Sequence, residues 1–261
     1  MAYYTDLYLT YFRLLLKAWS HYRADFVISF VASALHDGAT LIFLTGVFAN
    51  IHQLEGWSFR ELLLIWGLAV ITTNLANGLL DVPHRIHGYI RRGDLDRLLV
   101  RPPAPLFQIA GESGLTLPAL GRVFIGAVAI LTVLPELRLP WWGMLYLPLV
   151  IVGGVLTMFS TQLIVACLNF WFINAQSLLT TVTWMYHFGQ YPVSIFALPL
   201  RFLLTWVLPY AMMGFYPAAF LLRGDEYRLY GLLAPLMGFI FLGLSLSVWR
   251  WAIRHYQSTG S

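Results

Sequence analysis

Charge is scarce in this chain. Only 11% of its 261 residues are Asp, Glu, Lys or Arg, against about 25% in a typical soluble domain. So few ions cannot clothe a surface that meets water on all sides, which excludes an ordinary soluble protein. Lys17 is the only lysine, and it follows Leu14, Leu15 and Leu16. A phosphate-binding loop needs a glycine-rich turn closing on Gly-Lys-Ser/Thr, whose amides and lysine hold the phosphates, so no nucleotide triphosphate site can be built here. Cys167 is the only cysteine, which excludes an internal disulfide and leaves the redox compartment open. There is no His-Glu-x-x-His pair and no Gly-x-Ser-x-Gly elbow. The seven histidines are scattered, with His84 and His87 in a basic loop without a nearby cysteine. No metal site and no cofactor in this chain are therefore expected. The formal charge of +4 comes without a dense basic patch, so no nucleic-acid partner is expected either.

What is present is apolar: 59% of residues are hydrophobic and the mean hydropathy is +0.71. A membrane-crossing helix needs about 20 mostly apolar residues. Six stretches qualify: Phe26 to Asn50, Leu62 to Leu80, Leu115 to Leu134, Trp141 to Phe172, Leu178 to Leu198 and Leu229 to Trp249. The region 192–225 is also apolar, but Pro192, Pro199, Pro209 and Pro217 cut it into pieces too short to cross alone. Backbone broken in this way must be buried in protein or meet water, which predicts a re-entrant or interfacial hairpin. The fold class is all-α, one polytopic transmembrane domain over 1–261.

Lys and Arg gather on the cytoplasmic side of membrane proteins. Arg13, Lys17 and Arg23 precede the first span. Arg85, Arg91, Arg92, Arg97 and Arg101 lie between the second and third, and Arg250 and Arg254 follow the last. With six alternating spans all of these share one side, which places both termini in the cytoplasm. Residues 1–23 carry no signal-peptide core. Their aromatic and aliphatic side chains recur every three or four residues opposite Asp6, Arg13 and Lys17, the pattern of an amphipathic helix lying in the interface. The loop 83–114 is the longest hydrophilic segment. Within it, Asp94 can cap a short helix running to about Val100, with Leu95, Leu98 and Leu99 on one face and Asp96 and Arg97 elsewhere, stopped by Pro102 and Pro103. Such a helix, tethered between two spans, is either a lever for a soluble partner or a plain solvated loop.

The run Arg91-Arg92-Gly93-Asp94-Leu95-Asp96-Arg97-Leu98-Leu99-Val100-Arg101-Pro102 resembles the cytoplasmic segment of a family of short bacterial ABC-2 type ABC transporter permeases. Leu200 to Leu204, continuing through Leu208-Pro209 to Phe215-Tyr216-Pro217-Ala218, resembles their proline-rich extracytoplasmic section. Gly56-Trp57-Ser58 and the tail His255 to Ser261 also match in order and spacing. The resemblance implies an inner-membrane export subunit with six spans, an interfacial N-terminal helix, re-entrant helices and a coupling helix. Asp94, Leu95, Arg97, Leu98 and Leu99 would then dock on a separate ABC ATPase that binds ATP and magnesium. It also implies a second permease, as a homodimer or heterodimer, and membrane lipids as surroundings. An aromatic-rich bundle suits an amphipathic, lipid-like or drug-like substrate.

Polar groups inside spans are the remaining candidates, since an ionisable residue at the bilayer centre costs about 2.5–3.5 kcal/mol on insertion scales. Asp37 is either functional or paired with a histidine or arginine of a neighbouring span. His187 with Gln190, and Asn74 with Asn77, either line a polar cleft or hydrogen-bond between helices. A membrane-embedded enzyme and a membrane scaffold are the alternative classes.

Overall fold

In a computed structural model the residues described are 23–113, 117–137, 139–172 and 175–256, with no side-chain description within 23–26 and 112–118. The expected interfacial helix over 1–23 falls almost wholly outside these residues. What is described is helical: α1 (Arg23–Asn50), α2 (Phe59–Leu79), α3 (Val82–Arg91), α4 (Asp94–Leu99), α5 (Pro105–Ser113), α6 (Leu117–Val133), α7 (Gly143–Ala166), α8 (Ala175–Trp184), α9 (Leu198–Phe202), α10 (Phe215–Arg223) and α11 (Arg228–Arg254). Among the described residues four helical stretches are long and apolar enough to cross a membrane: Val27–Asn50, Phe59–Arg91, Gly143–Phe170 and Phe215–Arg254. The chain is a membrane-integral protein.

Helix α2 is the axis of the bundle. Leu62 through Asn74 are all buried, so this helix shows no polar stripe: it is surrounded by protein, not by one apolar neighbour. Its start is fixed locally. Ser58 Oγ accepts from the Glu61 amide and the Glu61 carboxylate accepts from the Ser58 amide at 2.7 Å, a reciprocal cap. The preceding turn places Glu55 and Gly56 at φ 51° and 77°, the left-handed region where glycine is cheapest.

Close approach between spans is made at glycines. A β-carbon at Gly67 would stand 2.7 Å from the Ile130 side chain and 3.0 Å from the Gly126 carbonyl oxygen, joining α2 to α6. One at Gly153 would stand 2.5 Å from Pro235 Cα, joining α7 to α11. Without water to expel, helices in lipid associate through such tight van der Waals contact.

Two poles result. At one, Val82 and Ile86 of α3, Leu95 and Leu98 of α4, and Ile109 of α5 form a buried cluster. Into it pack Leu163 and Cys167 at the end of α7, Leu179 of α8, and Trp249 and Ala252 at the end of α11. At the other, Trp142 and Tyr146 at the start of α7 pack with Phe220 and Leu221 of α10. Here the Tyr146 hydroxyl donates to the Gly231 carbonyl at 2.6 Å. At this second pole Arg60 at the start of α2 also pairs with Glu136, just past the end of α6, at 2.5 Å.

The stretch expected as a fifth span is shorter than foreseen. After α8 the chain tightens to a 3-10 turn over Met185–Gln190, and Tyr191 is extended. Pro192 explains the break, because its ring pushes the preceding residue out of helical geometry. Then come α9, a π-turn over Leu203–Val207, a 3-10 turn over Tyr210–Met213 and α10, interrupted at Pro209 and Gly214. Pieces of this length accord with proline cutting the apolar run.

Candidate functional site

The loop helix α4 is short, and two features outside it hold it in place. Gly93, at φ 70°, is its N-cap residue and makes no side-chain cap. Asp94, expected to be the cap, is instead the first helical residue. Its carboxylate accepts from Arg92 Nε at 2.8 Å and from Arg97. The Arg92 hydrogen bond, with the Arg97 guanidinium beside it, holds the Asp94 carboxyl below the usual aspartate range against some desolvation. At the other end, Gln108 of α5 donates to the Leu98 carbonyl at 2.9 Å and the Pro103 carbonyl at 2.7 Å. The first bond satisfies a carbonyl that the helix end leaves open, and the second fixes the loop that follows it. A cleft of about 220 Å³ lies along the helix, lined by Tyr89, Arg92, Asp94, Arg97, Leu98 and Arg101.

The leucines divide by role. Leu95 and Leu98 are 1% and 4% exposed and sit in the loop-pole cluster, whereas Leu99 and Val100 are 40% and 85% exposed. The single face expected for Leu95, Leu98 and Leu99 is thus split: two of them glue the helix to its own bundle and one looks outward.

Inside the bundle, Asp37 of α1 meets Arg122 of α6. Arg122 donates from Nε at 3.0 Å and from its terminal nitrogen at 2.7 Å, a forked pairing. Asp37 is 2% exposed. Tyr186 and His187, from the turn after α8, stand beside this pair, and Gln190 is within hydrogen-bonding reach of His187. Asp37, His187 and Gln190 therefore converge. The forked pair ties α1 to α6.

The two asparagines do not act together. Asn74 donates to its own helix at the Val70 carbonyl, 2.8 Å. Asn77 accepts from Gln162 of α7 at 3.1 Å, and Gln162 also reaches the Thr183 hydroxyl of α8 at 3.3 Å. Thr183 lies 3.5 Å from His84, whose other ring nitrogen is 3.1 Å from Asp81. A second tie joins His87 to Asn169 at 3.0 Å. This polar chain links α2, α3, α7 and α8; the interhelical hydrogen bond is the alternative found for Asn77, while its partners Gln162, Thr183 and His84 were not singled out. Its signal was Gln162, a lone amide in a helix otherwise apolar or hydroxylic. Among the described residues no group of three or more His, Cys, Asp or Glu side chains is placed to hold a metal ion.

A family model described as ABC-2 family transporter protein matches residues 34–260. No curated protein and no solved structure matches.

Proposed function

The chain belongs to the ABC-2 family of transporter proteins, and from that premise we propose that it is the permease subunit of an ATP-driven exporter of an amphipathic, lipid-like or drug-like substrate. ATP and magnesium are bound by a separate ABC ATPase, and a second permease, identical or related, completes the pathway. The membrane is a bacterial inner membrane, and both chain ends lie on its cytoplasmic side. The observation that carries this reading is the mounting of α4: buried through Leu95 and Leu98 in a cluster that contains the ends of α7 and α11, it presents Leu99 and Val100 outward. A partner gripping that outer edge moves the span ends directly. Asp94 and Arg97 brace the helix.

Six crossings suit the two poles. The ends of α7 and α11 share a pole with α3 and α4, while the end of α6 lies by the start of α2. Helix α6 thus bridges the poles in 17 residues, the lower limit of about 17–25 for a crossing helix. The segment 192–225 forms the external lid.

Co-purification from membranes tests the reading. Replacing Leu99 and Val100 with aspartate lowers recovery of the ATPase subunit at least about tenfold, since a charge facing an apolar pocket goes unpaired on docking, while membrane insertion stays normal. ATPase recovery equal to wild type sinks the assignment of α4. Leu98→Asp is unsuited to this purpose because it charges the permease's own core.

A further inference from the structure

Between α5 and the end of α11 runs a groove of about 510 Å³. Its walls are apolar: Leu106 and Phe107 on one side, Leu246, Trp249 and Ile253 on the other. Trp249 is held rigidly from behind, edge-on to Phe170 at 5.6 Å. Arg250 and Arg254 line the same groove. The α11 residues fall at i, i+3, i+4, i+7 and i+8, so one helix face carries both the apolar wall and the two cations. Neither arginine has a carboxylate within ion-pair distance among the described residues, although Arg60, Arg85, Arg92, Arg97, Arg122 and Arg228 each do. Both are exposed, at the membrane-proximal end of a stretch long and apolar enough to cross.

We infer that this groove holds one anionic phospholipid of the adjacent leaflet, an acyl chain against Leu106, Leu246 and Ile253 and the phosphate between Arg250 and Arg254. Charge complementarity selects this occupant. A zwitterionic lipid brings its own cation to two unpaired guanidiniums, and a purely apolar helix leaves them unanswered. Guanidinium forks match phosphate geometry, and basic residues near a membrane surface attract anionic headgroups. The site adjoins α4, because Trp249 belongs to the same buried cluster as Leu95 and Leu98. A lipid seated there buttresses the loop helix.

Native mass spectrometry of the full chain, purified in mild detergent and offered phosphatidylglycerol or phosphatidylcholine, tests the inference. Wild type retains one phosphatidylglycerol in preference to phosphatidylcholine. Arg250→Gln/Arg254→Gln loses that preference, with retention falling about 30-fold for two cations, and Arg250→Lys/Arg254→Lys keeps most of it. Ala104→Trp, at the exposed rim of the groove, also loses it while leaving every charge in place. Equal retention of the two lipids by wild type overturns the site. So does undiminished binding in the glutamine variant, or in Ala104→Trp, which leaves only diffuse surface charge. Displacement of the lipid by millimolar inorganic phosphate likewise makes it a bare anion site and not a lipid groove. None of these readouts involves the ATPase or transport, so they stand or fall apart from the proposed function.

Discussion

At the scale of single residues, the Asp37–Arg122 pair matters most because α1 has little else. Of its residues from 27 to 50 only Ser33, Asp37 and Leu44 are buried, and Ile28, Leu35, Ile42 and Phe43 are 64% exposed or more. A helix so poorly covered by its own chain is held in place by a forked ion pair and a narrow apolar stripe. Removing one partner leaves a buried charge unanswered, at about 3–5 kcal/mol, whereas an apolar replacement of both partners is often neutral. Arg122→Leu should therefore lower the midpoint of thermal unfolding in detergent sharply, and Asp37→Leu/Arg122→Leu should recover most of the loss. If the double variant is as unstable as the single, the pair is no latch and one of the residues has a separate task. An aspartate inside an apolar run signals in the sequence that it needs a partner. Which residue answers is not legible, because pairing of residues 85 positions apart depends on how α1 crosses α6. The loop leucines show the same boundary: their helix was legible, but which of them faces the bundle depends on α3, α5 and α11.

At the scale of elements, length and hydropathy located both ends of α1, α2 and α6 and the starts of α7 and α11 to within three residues, but the end of α7 falls six residues before the expected Phe172 and that of α11 five residues beyond Trp249. They overextended the fifth. Met185–Gln190 contains no proline, and its collapse to a tighter turn follows from Gly189 within it, from Pro192 downstream and from packing. Gly189 lies so near Tyr210 that a β-carbon would stand 2.7 Å from its carbonyl oxygen, and the Tyr210 hydroxyl donates back to the Val182 carbonyl at 3.1 Å. Glycine contacts between helices are also invisible one helix at a time. Gly238 and Gly243 look alike in the sequence of α11, yet a β-carbon at Gly238 falls well inside contact distance of the Gly153 carbonyl, while one at Gly243 meets nothing within 4 Å. Gly238→Ala should destabilise the protein by about 3 kcal/mol or more, because overpacking against backbone has no side chain to yield. Gly243→Ala should be neutral or up to about 1 kcal/mol stabilising through helix propensity. Chemical or thermal unfolding of the two variants side by side decides it; equal effects mean that α7 and α11 do not cross at Gly153.

At the scale of the whole molecule, charge is shared unevenly between the poles. The pole of α3, α4 and the end of α11 holds Arg85, Arg91, Arg92, Arg97, Arg101, Arg250 and Arg254 against Asp81, Asp94 and Asp96, whereas the other mixes Glu55, Glu61, Glu136, Asp225 and Glu226 with Arg60, Arg223 and Arg228. There Arg223 lies over the Trp57 ring at 3.9 Å and donates to the Gly56 carbonyl at 2.6 Å, tying the start of α2 to the end of α10. In the proposed six-crossing topology the arginine excess puts the α3–α4 pole in the cytoplasm by the positive-inside bias, and α3 and the end of α11, which share one buried cluster, fall on the same side. Site-directed labelling tests that proposal. The native thiol of Cys167 is fully buried, so the parent chain should be nearly silent toward a membrane-impermeant maleimide. In intact cells Asp225→Cys should react, whereas Val100→Cys and Arg254→Cys should react only after permeabilisation, with labelling ratios of about tenfold or more in each direction. Val100 and Asp225 reacting from the same side would contradict the six-crossing topology, and with it the placement of α4 where a soluble ATPase can reach it. Reaction of Val100 from the cytoplasm but of Arg254 from outside would instead spare α4 and show that α11 does not return to the loop pole in the membrane. The proposed topology therefore makes two separable commitments, one to where α4 sits and one to how the last helix comes back to it.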